Sequence, residues 1–277
     1  MTREPVSEHY SSGPLGPRVQ AALAAAGLDA PGVSYQAFAP IDEFHVGGLE
    51  ATLELARALA PEPGASVLDL GSGLGGPARL LAAERGCDVI GVDLSDEFVA
   101  VASTLTSLAG LDEQVRFRTG DVTALPFADA SFDHAVTIHV AMNIADRAGF
   151  YAEARRVLRP GGRLAILDVV TGNGEPLRFP LPWSSTAATS HLLTMPDTIA
   201  ALTEAGFETA DAVDRTAWSL DWFAAQGRAA EAAAAPPPLG LQVVMGERFA
   251  AMGFNIVVNM TAGRVGVAQI VATRGDR

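Results

Sequence analysis

The chain has 277 residues, with 32 acidic against 19 basic side chains and a formal net charge of −13. This excess of acid disfavours a nucleic-acid partner, because binding to a phosphate backbone needs clustered cations. No apolar run approaches the roughly 18 residues of a membrane span, and the N-terminus has no apolar signal core. Cys87 is the single cysteine, so we predict a cytoplasmic protein without a disulfide framework or a metal site.

The first 34 residues are predicted to hold a mobile tail, up to about residue 18, and a short alanine-rich helix over 19–28. Residues 35–277 are predicted to form a single domain. The stretch 35–48 is irregular and carries Tyr35, Phe38 and Phe44, and a helix pattern follows it. These aromatic side chains either pack on that helix or belong to a lid over a ligand, and the sequence leaves both possibilities open.

Residues 67–76 combine an apolar strand with a glycine-rich turn, and Pro77 then opens a helix. The turn fits both G-x-G-x-x-G and G-x-G-x-G, through Gly71, Gly73, Gly75 and Gly76. The first pattern is typical of dinucleotide sites. Asp69 favours a cationic ligand instead, because a carboxylate just before the turn would repel a pyrophosphate and attract an ammonium or a sulfonium.

Strands and helices alternate beyond the turn, with further strands predicted over 89–92, 115–118, 132–138 and 163–169. This alternation predicts a mostly parallel sheet with helices on both faces and ligands at the carboxyl ends of its strands. The pattern then breaks. The later elements are predicted as an aperiodic stretch over 171–194, a helix over 197–205, a strand over 207–215, a linker over 229–238, an apolar helix over 241–260 and a strand over 265–273.

An aspartate ends or follows each of the first three predicted strands, namely Asp69, Asp93 and Asp121. Each alone would be read as a turn or cap residue, but together they line one edge of the sheet. A carboxylate accepts two hydroxyls well, so Asp93 suits a ribose diol. Asp121 can accept from an exocyclic amine beside the Val122 N–H, and Asp69 can hold an ammonium.

With these motifs the chain resembles the class I S-adenosylmethionine-dependent methyltransferases over about residues 35–215. It is most similar to their small-molecule group, which includes menaquinone-biosynthesis enzymes and natural-product O-methyltransferases. The resemblance rests on residues 67–75, 91–95, 119–122, 125–133 and 158–164. It implies a Rossmann-like, doubly wound, mostly parallel seven-stranded sheet with a terminal antiparallel strand. Residues 35–48, 171–194 and 218–262 would then form lid segments.

The resemblance also implies S-adenosyl-L-methionine as the cofactor. The residues expected to bind it are Asp69, Gly71, Ser72, Gly73, Gly75, Asp93, Leu94, Asp121, Val122 and His139. Ser72 stands where many family members have cysteine. The Asn-Pro-Pro-Tyr signature of relatives that methylate nucleic acids is absent after the fourth strand.

Two residues are candidates for catalysis. His139 follows the fourth strand and Asp168 ends the fifth, so an imidazole base could be oriented by a neighbouring carboxylate. A base of this kind would give a rate that rises with pH near neutrality. The alternative for His139 is a residue that packs against the cofactor and binds it.

The resemblance implies methyl transfer to a small-molecule acceptor, with oxygen favoured over nitrogen or carbon, in secondary metabolism. An alternative is a protein that binds S-adenosylmethionine but organises a non-methylating reaction such as a cyclisation. A membrane or nucleic-acid partner is not expected, and the chain is predicted to be a monomer or a homodimer.

Overall fold

A computed structural model describes residues 14–233 and 237–275, with only the backbone described at 209 and 210. Most of the predicted N-terminal tail lies outside the described residues. Helix α1 (Leu15–Ala26) begins at Leu15, earlier than the predicted residue 19. The reason is that Leu15 is buried with Val19 in one apolar cluster, so burial extends the helix toward the N-terminus.

Seven strands form one sheet in the order β3-β2-β1-β4-β5-β7-β6. They are β1 (Ser66–Leu70), β2 (Asp88–Asp93), β3 (Val115–Thr119), β4 (Phe132–Ile138), β5 (Leu158–Thr171), β6 (Phe207–Asp214) and β7 (Val265–Arg274). The first five strands pair in parallel, whereas β7 is antiparallel to both β5 and β6. The predicted doubly wound sheet with an antiparallel terminal strand is confirmed.

Strand β1 lies between β2 and β4, so the chain winds outward in opposite directions on its two sides. The carboxyl ends of strands at such a switch point leave a crevice for a ligand. Neighbouring residues of β1 face opposite sides of the sheet: Val67 packs in one apolar cluster, and Leu68 packs in the cluster on the other side. Asp69, one residue before the end of the strand, therefore faces the Val67 side, beside the crevice.

Helices cover both faces of the sheet. They are α1, α2 (Ala39–Asp42), α3 (Gly48–Leu59), α4 (Gly76–Arg85), α5 (Asp96–Ala109), α6 (Arg147–Val157), α7 (Met195–Glu204), α8 (Thr216–Ala232), α9 (Leu241–Met245) and α10 (Phe249–Thr261). Short 3-10 turns occur at Tyr35–Phe38, Ala141–Asn143, Ala187–Thr189 and Gly246–Arg248. Helix α8 was not predicted, and it includes the first residues of the supposed linker over 229–238.

The apolar stretch predicted as one helix over 241–260 is divided into α9 and α10. Gly246 separates them with φ 66° and ψ −156°, a conformation that only glycine adopts readily. By length and composition alone, Leu241–Thr261 could cross a membrane, which corrects the expectation that no run is long and apolar enough. In the fold, Met252 and Ile256 of this segment are buried inside the protein. The absence of a membrane partner stays a prediction.

Candidate active site

A cavity of about 610 Å³ opens at the carboxyl ends of β1, β2 and β4. Nine of the ten residues predicted to bind the cofactor line it, namely Asp69, Gly71, Ser72, Gly73, Asp93, Leu94, Asp121, Val122 and His139. The short motifs at the ends of the predicted strands therefore indicated which residues line one end of this cavity.

The glycine turn is tied to β2 by hydrogen bonds. Gly71 N–H donates to the Val92 carbonyl at 2.8 Å, and Gly73 N–H donates to Asp93 Oδ2 at 2.9 Å. The other oxygen of Asp93 accepts from Ser95 N–H at 2.9 Å. Gly73 has φ 52°, a conformation that favours glycine, and a Cβ added there would lie 3.0 Å from the Phe44 ring. Asp93 thus shapes the turn and keeps lone pairs for a ligand.

Gly75 is the predicted cofactor residue that does not line the cavity. It precedes α4 with φ 84°, and a Cβ there would lie 2.4 Å from the Phe117 ring. Its place in the motif is explained by the sharp turn into the helix and by close packing against β3.

Asp69 is buried at the base of the cavity, and its Oδ2 has no hydrogen-bond partner. Burial, reinforced by the negative charges of Asp93 and Glu43, raises the pKa of Asp69 to about 8. Ser72 Oγ is likewise buried without a partner. Unpaired polar atoms are costly inside a protein, so both atoms fit a ligand that brings a cation and a donor. A ligand with an ammonium group meets this requirement.

Asp121 lies at the cavity beyond β3. Its Oδ1 accepts from Thr123 N–H at 2.9 Å and from Thr123 Oγ1 at 2.6 Å. One carboxylate oxygen is thus used to close a local turn, as in an Asx turn. Val122 lines the cavity beside it. The position agrees with the predicted contact to an adenine edge, which stays a prediction.

His139 stands directly after β4 and lines the same cavity. Its backbone has φ 53°, which is unfavourable for a residue with a side chain, and its N–H donates to Leu167 O at 2.8 Å. Burial, together with the nearby His45, holds the pKa of His139 well below its usual value. Nε2 has no partner. The imidazole is therefore neutral at physiological pH and has a nitrogen available to accept a proton.

The expected pairing of Asp168 with His139 is wrong. Asp168 Oδ2 accepts from Ala141 N–H at 3.0 Å, and its Oδ1 accepts from Val169 N–H at 2.9 Å. The 3-10 turn after His139 directs one backbone donor, the Ala141 N–H, at the carboxyl, and Asp168 does not line the cavity. Burial raises the pKa of Asp168 to about 7. Asp168 therefore fixes the turn that follows His139 and makes no hydrogen bond to the imidazole.

A buried cluster beside His139 was not predicted as a unit. His45 Nε2 lies 2.7 Å from Glu43 Oε2, and Thr52 Oγ1 donates to the same oxygen at 2.6 Å. His45 Nδ1 lies 3.2 Å from the Val46 carbonyl, so both ring nitrogens are engaged. The rings of His45 and His139 are 5.8 Å apart. Glu43 and His45 are close in sequence, in the triplet Glu-Phe-His. Thr52 lies on α3, so its contact with Glu43 depends on how that helix packs.

The far end of the cavity is apolar. Its larger side chains are Met142, Trp183, Trp222, Phe223, Met245, Phe249, Met252 and Ile256. All three predicted lid segments contribute residues to the lining: Phe44 comes from 35–48, Trp183 from 171–194 and Trp222 from 218–262. The segment 35–48 is firmly packed, since Phe38 and Ile41 are fully buried. The movement of these segments stays a prediction.

Comparisons with known proteins place residues 68–166 in the methyltransferase domain family. Methyltransferase GfsG from Streptomyces halstedii is 40% identical over 130 residues, which are 47% of this chain and 47% of that protein. An O-methyltransferase from Pyrenophora dematioidea is 31% identical over 176 residues, 63% of this chain and 66% of that protein. The chain thus matches about half to two thirds of the length of these curated relatives.

A solved cyclase, SpnF, shares the fold with a TM-score of 0.66 and 22% identity, and the match covers 89% of this chain and 98% of the cyclase. At 22% identity this similarity shows only that the two proteins share a fold. The same fold can carry out more than one kind of reaction. The glycine turn, the sheet and the domain match together identify the family predicted from the motifs. The chain belongs to the class I S-adenosylmethionine-dependent methyltransferases.

Proposed function

We propose that this protein transfers a methyl group from S-adenosylmethionine to a small-molecule acceptor, with a hydroxyl oxygen as the favoured site. The observation that carries the proposal is one cavity that joins three acids and a glycine turn to an apolar chamber, with the unpartnered His139 Nε2 in its wall. The proposal places the enzyme in secondary metabolism.

The residues at the glycine turn fit the cofactor. Asp69 would bind its ammonium, Asp93 its ribose hydroxyls, and Asp121 with Val122 its adenine edge. Gly71 and Gly73 line the cavity, and without side chains they would let the backbone approach the cofactor closely. When bound, S-adenosylmethionine supplies an electrophilic methyl group on a sulfonium centre.

The protein contributes positioning and a proton acceptor. Holding the acceptor and the methyl group in line can supply roughly 7–11 kcal/mol of barrier reduction. Nε2 of His139 accepts the proton that the acceptor hydroxyl loses as its oxygen is methylated. The apolar wall that includes Trp183 and Trp222 excludes water from the reacting groups.

A mass-resolved assay tests the proposal. Incubation with methyl-deuterated S-adenosylmethionine and a metabolite extract should give a product that gains one labelled methyl, and calorimetry should show binding of S-adenosylmethionine but not of NAD. Conversion of a compound without any gain of methyl, while the cofactor stays intact, would favour the cyclisation alternative instead. Binding of NAD without binding of S-adenosylmethionine would exclude both.

Binding of the cofactor should depend on the titration of Asp69. With a pKa of about 8, this carboxyl is mostly protonated at pH 6, and a bound ammonium requires the ionised form. The affinity for S-adenosylhomocysteine, which carries the same ammonium, should therefore rise from pH 6 to 8, by up to roughly fiftyfold. Calorimetry across this range gives the slope.

Two controls isolate the Asp69 charge. Adenosine lacks the ammonium, so its affinity should not follow the same rise. In Asp69→Asn the rise for S-adenosylhomocysteine should disappear. An affinity that stays constant between pH 6 and 8 in the unmodified protein would contradict the assignment of Asp69.

A further inference from the structure

The apolar end of the cavity is built largely from the chain between β6 and β7. Trp222 and Phe223 of α8 are in T-shaped contact with ring centroids 5.1 Å apart, and both line the cavity. Met252 and Ile256 of α10 add apolar surface from the second helix. Aromatic and thioether side chains of this kind bind flat or flexible apolar molecules through contact area.

No arginine is among the described residues that line the cavity, and all 19 basic side chains of the sequence are arginine. The carboxylates of the lining are Asp42, Asp69, Asp93, Glu97, Asp121 and Asp146. An acceptor with a phosphate or carboxylate would lose its hydration here and be repelled by these acids. Recognition of such anions in proteins uses arginine or lysine, which this wall does not offer.

The acids are also poorly placed for a cationic acceptor. Four of them lie at the glycine turn or just after β2 and β3, and Asp42 of α2 is paired with Arg79 of α4. The sixth, Asp146, caps α6 through a hydrogen bond from Gly149 N–H to Oδ1 at 2.9 Å. No carboxylate of α8 or α10 is among the residues that line the cavity. An ammonium buried among the side chains of these two helices would lack the charged partner that buried cations require.

Two buried acceptor atoms remain open in the turn that follows β4. They are Asn143 Oδ1 and, in the tautomer with the proton on Nδ1, His139 Nε2, and neither atom has a hydrogen-bond partner. Both residues line the cavity. Buried acceptors are normally satisfied, so each of these atoms calls for a donor from the bound molecule. A hydroxyl supplies such a donor without adding charge.

We propose, on the basis of the proposed function, that the acceptor is an uncharged, largely apolar molecule with at least two hydroxyls. One hydroxyl donates to His139 Nε2 and is methylated, and the second donates to Asn143 Oδ1. Asn143 is then a specificity-determining residue that selects which hydroxyl reaches His139.

Binding is measured by calorimetry with S-adenosylhomocysteine present, so that no reaction occurs. Three skeletons are used: a naphthalene, a long-chain alkane and a steroid. Each is supplied as a monoalcohol, a diol, a carboxylate and an amine. We expect the diol of at least one skeleton to bind about tenfold more tightly than its monoalcohol and more tightly than its charged analogues. Tighter binding of a carboxylate or an amine, or no binding of any diol, would overturn the proposal.

Variants of Asn143 test the second contact. Asn143→Ala should remove the preference for the diol over the monoalcohol, whereas Asn143→Asp, which retains an acceptor oxygen, should keep it. Asn173→Ala is the matched control, because Asn173 is exposed and lies outside the cavity lining. Unchanged affinity for S-adenosylhomocysteine shows that each variant is folded. A preference for the diol that survives in Asn143→Ala would exclude Asn143 from this role.

The same data separate this proposal from the proposed function. A diol that binds as expected but gains no methyl in the deuterium assay would refute the methyl transfer and leave the acceptor class intact. A labelled methyl found on an amine or an anionic compound would support methyl transfer and refute the acceptor class.

Discussion

Replacing His139 with alanine should lower the turnover of a hydroxyl acceptor by about 10²–10⁴-fold and change the cofactor dissociation constant only slightly. The reason is that His139 Nε2, a buried atom without a partner on a neutral ring, is the proposed recipient of the acceptor's proton, which moves only as the reaction proceeds. A group that acts mainly in the transition state affects turnover more than ground-state binding. Single-turnover rates at saturating cofactor, set beside calorimetric affinities, measure the two effects separately.

The pH profile adds an independent readout. Only the neutral imidazole accepts a proton, and burial holds the pKa of His139 well below its usual value. The single-turnover rate should therefore be constant through neutrality and fall only in more acidic solution. This revises the expectation from the sequence, which placed the rise near neutrality. Saturating cofactor keeps the titration of Asp69 out of the profile.

A matched histidine serves as the control. His134 lies on β4, accepts a hydrogen bond from Arg163 N–H at 3.3 Å and does not line the cavity. His134→Ala should leave the turnover within a few-fold of the original value. If His139→Ala instead lost cofactor affinity and kept its single-turnover rate, His139 would be a residue that packs against the cofactor. A mild effect on both would point to an amine or carbon acceptor that needs no base.

The end of the cavity at the glycine turn was predictable because each of its motifs is a short local pattern at the end of a strand. Asp69 lies just before the glycine turn, and Asp93 and Asp121 follow the ends of the next two strands, so the parallel sheet alone brings them together. Strand β4 was predicted with its observed bounds, since Phe132–Ile138 is rich in β-branched or aromatic residues. Side-chain contacts across the chain did not enter these predictions.

The errors came from interactions that no local pattern contains. The pairing of Asp168 with His139 failed because a 3-10 turn placed the N–H of Ala141 against the carboxyl. The cluster of Glu43, His45 and Thr52 depends on how the segment 35–48 packs against α3. The apolar pattern over 241–260 favoured one helix, but it could not reveal the conformation of Gly246. In each case the observed conformation depends on contacts between segments that are distant in sequence.

The largest loss of stability is expected from Asp42→Ala. Arg79 of α4 is fully buried, and its guanidinium donates to Asp42 Oδ2 at 2.6 Å, to Leu74 O at 2.6 Å and to Thr106 Oγ1 at 3.0 Å. Removing the carboxylate leaves a buried cation without its counter-charge, which costs about 3–5 kcal/mol. Urea unfolding at pH 7 should show this decrease in the free energy of unfolding.

An exposed ion pair gives the comparison. Glu175 lies 3.3 Å from Arg264 with more than half of its side chain exposed, so Glu175→Ala should cost about 0–1 kcal/mol. The double variant Asp42→Ala with Arg79→Met should recover part of the loss, because it removes the unpaired charge and retains most of the buried volume. Asp42 also joins the segment that carries His45 to α4, so cofactor binding should weaken in the single variant. A cost for Asp42→Ala no larger than that for Glu175→Ala would show that Arg79 is stabilised by its carbonyl and hydroxyl acceptors alone.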